Sequence, residues 1–150
     1  MCGPAGSGKS TLARDLEGQG FARLSVDVLA WDRGHRSHPL PEAVAEHARL
    51  EIQKRLVALV REGRAAVVDL SFWSRRARDE YRDLLAPLGV VPEVWYLSTP
   101  REVVLARMAG RDNSSPDLLI LPAGVAAEYF DHFEVPTVEE GPLRVIEWEP

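Results

Sequence analysis

Residues 3–10 read Gly-Pro-Ala-Gly-Ser-Gly-Lys-Ser and satisfy G-x-x-x-x-G-K-[ST] at every position. Three glycines in this stretch allow the backbone to turn where a Cβ would forbid it, so that successive N–H groups converge on phosphate oxygens. Lys9 supplies a compact positive charge for the β- and γ-phosphates, and the Ser10 hydroxyl is a ligand for Mg²⁺. Thr11 follows, and a helix starting near Lys9 adds its positive end to the same site. Gly3, Pro4, Ala5, Gly6, Ser7, Gly8, Lys9, Ser10 and Thr11 are therefore the candidate nucleotide cradle. Leu12, Ala13 and Leu16 share one face of that helix, which Gly18 and Gly20 stop.

Other residues with chemical potential stand at the ends of predicted elements. The strand Phe21-Ala22-Arg23-Leu24-Ser25-Val26 ends at Asp27, at the rim where parallel α/β sheets bind ligands. Asp27 is either a site residue or simply the cap of a following short helix. Ala65-Ala66-Val67-Val68-Asp69-Leu70 is a buried strand ending in an acid, the form that holds the water shell of Mg²⁺ opposite Ser10. Leu70 stands where motor ATPases carry a second acid, which favours phosphate transfer over ATP-driven motion. Ser74 is a candidate cap, putting Arg75 and Arg76 in the first turn of a helix, where cations oppose the dipole by about 0.3–1 kcal/mol each. They either bind an anionic acceptor or pair with Asp79 and Glu80. Phe72 and Trp73 line an acceptor pocket or pack in the core. Arg107 and Arg111 are four residues apart and enter the polar stretch Gly110-Arg111-Asp112-Asn113-Ser114-Ser115, as a phosphoryl-transfer lid over about residues 107–122 requires. His35 and His38 lie in a polar loop with no acid or Cys spacing for a metal, and read as solvated.

The elements that hold these residues follow from periodicity. Val44, Ala48, Ile52 and Leu56 mark a helix from Pro41 to Glu62, and a second runs from Ser74 through Leu84 and Leu85. Val90–Leu97 is a strand, Thr99-Pro100-Arg101-Glu102 a capping box, residues 121–133 a helix and residues 143–148 the last strand. With 150 residues, 45% hydrophobic and 27% charged, the chain makes one domain, residues 1–150. The net charge of −5 disfavours extended nucleic-acid binding. No apolar run is long enough for a membrane span. The single cysteine, Cys2, excludes an internal disulfide, fits a reducing cytoplasm, and reads as a small strand-end residue.

A P-loop leaves the end of a buried strand, yet only Met1 and Cys2 precede this one. A full strand buries several Val, Leu or Ile side chains at about 1.5–3 kcal/mol each, which rivals the whole stability of a small domain, about 5–15 kcal/mol. The expectation is that residues upstream supply the rest, and that adding them raises the melting temperature; an unchanged value would refute it.

In the order of its motifs, almost the whole chain resembles a small P-loop kinase. The group includes zeta toxins, chloramphenicol phosphotransferase and the kinase domain of phage-type polynucleotide 5′-kinases, and the chain looks closest to small bacterial kinases labelled as AAA-domain proteins. The matching residues are Gly3 to Thr11, Leu24-Ser25-Val26-Asp27, residues 67–74 with Arg78, Arg107-Met108-Ala109-Gly110-Arg111, and residues 133–141. The resemblance implies a three-layer α/β/α P-loop NTPase fold with a parallel sheet of order 2-3-1-4-5, its first strand nearly absent here. It implies ATP and Mg²⁺, Asp27 as general base toward an acceptor hydroxyl, Arg107 and Arg111 in the lid with Arg111 near the nucleotide, and residues 133–140 near the adenine. Trp73, Arg75 and Arg78 join Asp27 as candidate acceptor contacts. Three readings stay open: a kinase of a small-molecule hydroxyl, a polynucleotide 5′-hydroxyl kinase, and a nucleotide-dependent switch or ATPase with a protein partner. The acceptor and the oligomeric state are not written in the sequence.

Overall fold

The computed structural model describes residues 1–149. Four short strands, β1 (Ala22–Ser25), β2 (Ala66–Asp69), β3 (Val94–Ser98) and β4 (Leu143–Glu147), are parallel and pair as β1–β2 and β3–β4. Ala22 faces Ala66 and Ser25 faces Asp69 in the first pair; Val94 faces Leu143 and Ser98 faces Glu147 in the second. Residues 1–3 lie between the two pairs. The Met1 nitrogen donates to the Val68 carbonyl at 2.9 Å, and Gly3 N–H donates to the Ser71 carbonyl at 3.2 Å. On the other side, Cys2 N–H donates to Trp95 O at 2.7 Å and Cys2 O accepts from Leu97 N–H at 2.9 Å. With these residues counted first, the order is 2-3-1-4-5, as expected for a P-loop α/β fold.

Six helices join the strands: α1 (Lys9–Gly18), α2 (Val26–Asp32), α3 (Glu42–Arg61), α4 (Arg75–Leu85), α5 (Arg101–Ala109) and α6 (Ala123–Asp131). Alternation along β2 separates two faces of the sheet. Val67 packs with Met1, Ala13, Leu16 and Leu97 on the α1 side. Ala66 and Val68 pack toward Leu24, Ile52, Leu56, Tyr81 and Leu85 under α3 and α4. A third cluster, Val104, Met108, Leu121 and Ala126, joins α5 and α6 and reaches Ala5 of the P-loop. Cys2 is fully buried, the packing role its position suggested.

Two local expectations need correction. Ser25, not Asp27, caps α2: its hydroxyl accepts from Val28 N–H, so Asp27 sits in the first helical turn with its carboxylate uncommitted to the cap. Thr99 forms no capping box, because its hydroxyl donates instead to Ser7 O at 3.0 Å and ties β3 to the P-loop. The capping box forms at Thr137 and Glu140. Ser74 does cap α4, accepting from Ala77 N–H at 3.2 Å.

Glu140 and Arg78 make the most buried ion pair described here, with side chains 3% and 2% exposed. Arg78 uses Nε and Nη2 on the two Glu140 oxygens at 2.7 and 2.8 Å, and Nη1 on the carbonyls of Phe72 and Glu134, each at 2.9 Å. The loop 134–140 is thereby pinned to α4. So is Phe72, whose φ of 46° is a strained value for a residue with a side chain, at about 1–3 kcal/mol. Arg78 holds the Glu140 carboxyl down at about 2. A depressed carboxyl pKa contributes stability above the unfolded value of about 4.5 and loses it as pH falls toward 2. Arg78→Met is expected to destabilise the fold by about 3–5 kcal/mol in urea unfolding, because Glu140 is left buried and unpaired. Glu140→Gln should flatten stability against pH between about 4.5 and 2. A loss under about 1 kcal/mol for Arg78→Met would refute the clamp.

Candidate active site

The P-loop turns on Gly3, Gly6 and Gly8, with φ of 149°, 88° and 100°. The turn also needs the missing side chains: a Cβ on Gly6 would lie 3.0 Å from Val104 O, and one on Gly3 would lie 2.7 Å from Ser7 Oγ. Helix α1 then begins at Lys9 with no acid in its first turn and no side-chain cap, so its positive end faces the loop uncompensated. Lys9 Nζ folds back onto Pro4 O at 2.8 Å. Burial pushes the Lys9 ammonium down to about 8, against the pull of Asp69 and Asp27. Ser7 Oγ is buried without a hydrogen-bond partner among the described residues. An orphaned hydroxyl, a desolvated ammonium and an open helix N-terminus around one loop fit a bound polyphosphate.

Ser10 and Asp69 both line this cavity and fit the magnesium that accompanies a nucleotide. Among the described residues no group of three or more His, Cys, Asp or Glu side chains could hold a metal alone. Mg²⁺ keeps waters and phosphate oxygens and takes only one or two protein ligands. Asp69 is already paired: Arg23 Nε and Nη2 both donate to Oδ2, at 3.2 and 2.6 Å, and neither bond uses Oδ1. The same Arg23 Nη2 binds Oδ1 of Asp117, and Arg14 binds its Oδ2. Asp117 lies in a short turn, Pro116–Leu118, in the segment after α5. One carboxylate of the expected lid is thus latched to the arginine that holds Asp69.

Asp27 faces the same cavity from α2, with His38 Nε2 at 2.8 Å from its Oδ1. With the carboxylate ionised, Nε2 is the donor. His38 was expected to be solvated; it is instead fastened at both ends, since its backbone N–H donates to Ile120 O at 2.9 Å and Ser37 bridges Ile120. Arg107 and Arg111 also line the cavity, as expected. Arg107 donates to Gly6 O at 3.3 Å and Arg111 to Leu119 O at 2.9 Å, the latter beyond the end of α5. Burial lowers the Arg111 pKa, with Asp27 and Asp117 opposing.

The acceptor contacts divide. Trp73 and Phe72 line the cavity. Arg78 is held in the Glu140 clamp and Arg75 lies 3.5 Å from Asp79; neither lines the cavity. Arg76 pairs with Glu80, also at 3.5 Å. The open N-terminus of α4 is filled from within, by Glu134 accepting from Arg75 N–H at 2.8 Å. None of residues 133–140 reaches the cavity; its wall there is Tyr129 and residues 146–149. The cavity, about 1050 Å³, is lined by the P-loop, Asp27, Arg49, Glu80 and Tyr81 together. Arg23, His38, Arg49, Tyr81 and Asp117 carried no sequence signal, because each acquires its role from a partner distant along the chain.

A family model described as AAA domain matches residues 1–136. No curated protein sequence matches the chain. Among solved structures, a candidate kinase from Chloroflexus aurantiacus aligns over 97% of this chain and 84% of its own, at 18% identity and TM-score 0.76. A sugar kinase from Janibacter sp. aligns over 97% and 82%, at 21% identity and TM-score 0.66. A gluconokinase from Sinorhizobium meliloti aligns over 97% and 79%, at 22% identity and TM-score 0.65. At these identities the likeness establishes a shared fold.

If the Asp117 latch holds the lid segment down, Asp117→Asn should speed amide hydrogen exchange across residues 113–120 by about 10–100-fold, with α3 unaffected. Unchanged exchange there would mean that the backbone bonds to His38 and within the segment suffice.

Proposed function

The chain belongs to the AAA domain family, and on that premise we propose that it is a kinase that moves the γ-phosphate of ATP to a hydroxyl of a small-molecule acceptor. One observation carries the reading: a single cavity is lined both by residues 5–11 of the phosphate cradle and by a carboxylate, Asp27, that a histidine contacts at 2.8 Å. A sugar kinase and a gluconokinase share the fold, and both act on small hydroxylated acceptors. Of the arginines that a polynucleotide kinase would turn to backbone phosphates, Arg78 is buried in its pair with Glu140, and neither Arg75, Arg76 nor Arg78 lines the cavity.

The residues divide the work. The backbone N–H groups of the P-loop and Lys9 bind the β- and γ-phosphates, Lys9 leaving Pro4 O for an anionic partner. Asp27 takes the acceptor proton on the oxygen that His38 leaves free, while His38 fixes the carboxylate on Oδ1. The acceptor oxygen forms its bond to phosphorus as the bridging bond to the β-phosphate breaks; the proton stays on Asp27 and ADP departs. Arg107 and Arg111 spread the charge of the moving phosphoryl group, and the lid keeps water out. Mg²⁺, held by Ser10 and, through water, by Asp69, supplies further neutralisation of phosphate charge when bound.

Transfer from γ-labelled ATP tests this. Asp27→Asn should lower transfer by about 10²–10⁴-fold and leave ATP affinity unchanged. Lys9→Ala should weaken ATP binding about 10–100-fold. Full transfer by Asp27→Asn would refute the base, and label released by the wild-type chain only as free phosphate would favour an ATPase.

A further inference from the structure

Arg23 stands on β1 level with Val67 of β2, and Ser25, two residues on, is level with Asp69. Alternate residues of a strand share a face, so Arg23 lies on the face that carries Val67 and packs under α1. Its side chain runs along that face to the end of β2 and is 7% exposed. Asp69 lines the cavity and Arg23 does not, so Arg23 touches the site only through the carboxylates it binds.

The bonds it makes are specific. Nε and Nη2 converge on one oxygen, Oδ2 of Asp69, at 3.2 and 2.6 Å. The strand sets the Cα–Cβ bond of Asp69 and the two donors set Oδ2, so the planar carboxyl group leaves Oδ1 a single position. Nη2 also donates to Oδ1 of Asp117 at 2.5 Å, and Arg14 donates to the second Asp117 oxygen. Arg14 is 51% exposed, and water screens its charge. At the buried end, two carboxylates with side chains 3% and 11% exposed share one guanidinium, and negative charge is left over to attract a cation.

We propose that Arg23 is the positioning residue of the magnesium site: it holds Asp69 by Oδ2 and so keeps Oδ1 for the water shell of the Mg²⁺ that accompanies the nucleotide. The proposal rests on the nucleotide-binding part of the kinase reading and deepens it on the metal side. A partner that orients a metal-side carboxylate in this way tunes affinity for the metal without touching it. An arginine that only joined β1 to β2 would change stability and leave the response to Mg²⁺ as it was.

The test is equilibrium binding of a non-hydrolysable ATP analogue, with a methylene group between the β- and γ-phosphates, in excess Mg²⁺ and in EDTA. The ratio of the two affinities is the gain from Mg²⁺. Arg23→Lys keeps a cation between Asp69 and Asp117 but loses the planar fork. It should lower the gain about 10-fold, through weaker binding in Mg²⁺ and unchanged binding in EDTA. In an Asp69→Asn background the same substitution should cost nothing further, because the carboxylate it positions is gone. Should Arg23→Lys not fold, Arg23→Gln made together with Asp117→Asn removes a cation and an anion at once, and measured against Asp117→Asn alone it should show the same loss. An undiminished gain, a loss equal in Mg²⁺ and in EDTA, a further loss in the Asp69→Asn background, or a wild type that gains nothing from Mg²⁺ would each overturn the proposal. Phosphate transfer that is lost in Asp27→Asn would in every one of these cases leave the kinase reading standing.

Discussion

The seam at residues 1–3 is the constraint on which the rest of the molecule depends. β1–β2 and β3–β4 pair within themselves and meet through the hydrogen bonds these residues make on their two sides. The P-loop leaves this seam directly, so the same backbone that completes the sheet also aims the phosphate cradle. Gly3 shows how tight the arrangement is: it donates to Ser71 across the seam, and a side chain there would collide with Ser7. The sheet supplies the position and the glycines supply the curvature. Neither alone would bring the N-terminus of α1 and Lys9 to one point.

Another part of the cavity is built by a different kind of interaction. Its aromatic wall stands on a residue in the left-handed region, Phe72, and such a conformation persists only where the surroundings over-determine it. Arg78 does this by bonding the Phe72 carbonyl while both oxygens of Glu140 hold the guanidinium in place. A buried ion pair of this sort is weak evidence for net stability but a strong constraint on geometry. Here it turns a strained loop into a fixed surface beside the start of the P-loop, where Cys2 Sγ lies 3.6 Å from the Phe72 carbonyl.

What was legible in the sequence was local. The P-loop is an eight-residue pattern whose chemistry lies in its backbone, and the helices announced themselves by their apolar spacing. Pairings across the chain were not legible. Arg78 reads as a basic residue near a site until Glu140, 62 positions later, claims it. His38 reads as a loop histidine until Asp27, on a different element, comes within 2.8 Å. Arg23 carries no signal at all, since only the parallel register of β1 and β2 brings it to Asp69. The failed capping box at Thr99 is the same lesson on a small scale. A hydroxyl has several possible partners, and packing against the P-loop decided among them.

These long-range pairs converge on one short segment. Asp117 reaches Arg23, and through it Asp69 on the metal side; Ile120 holds the backbone of His38, and through it Asp27 on the acceptor side. Two residues three apart are therefore linked, each through one intermediate residue, to two carboxylates that line the cavity. A segment so connected cannot lift without releasing both. Lifting costs the Asp117 ion pairs, and it frees His38 from its anchor, so the Asp27 carboxylate loses its fixed orientation in the same motion. Any movement of this segment would therefore be coupled, through Arg23 and His38, to both carboxylates.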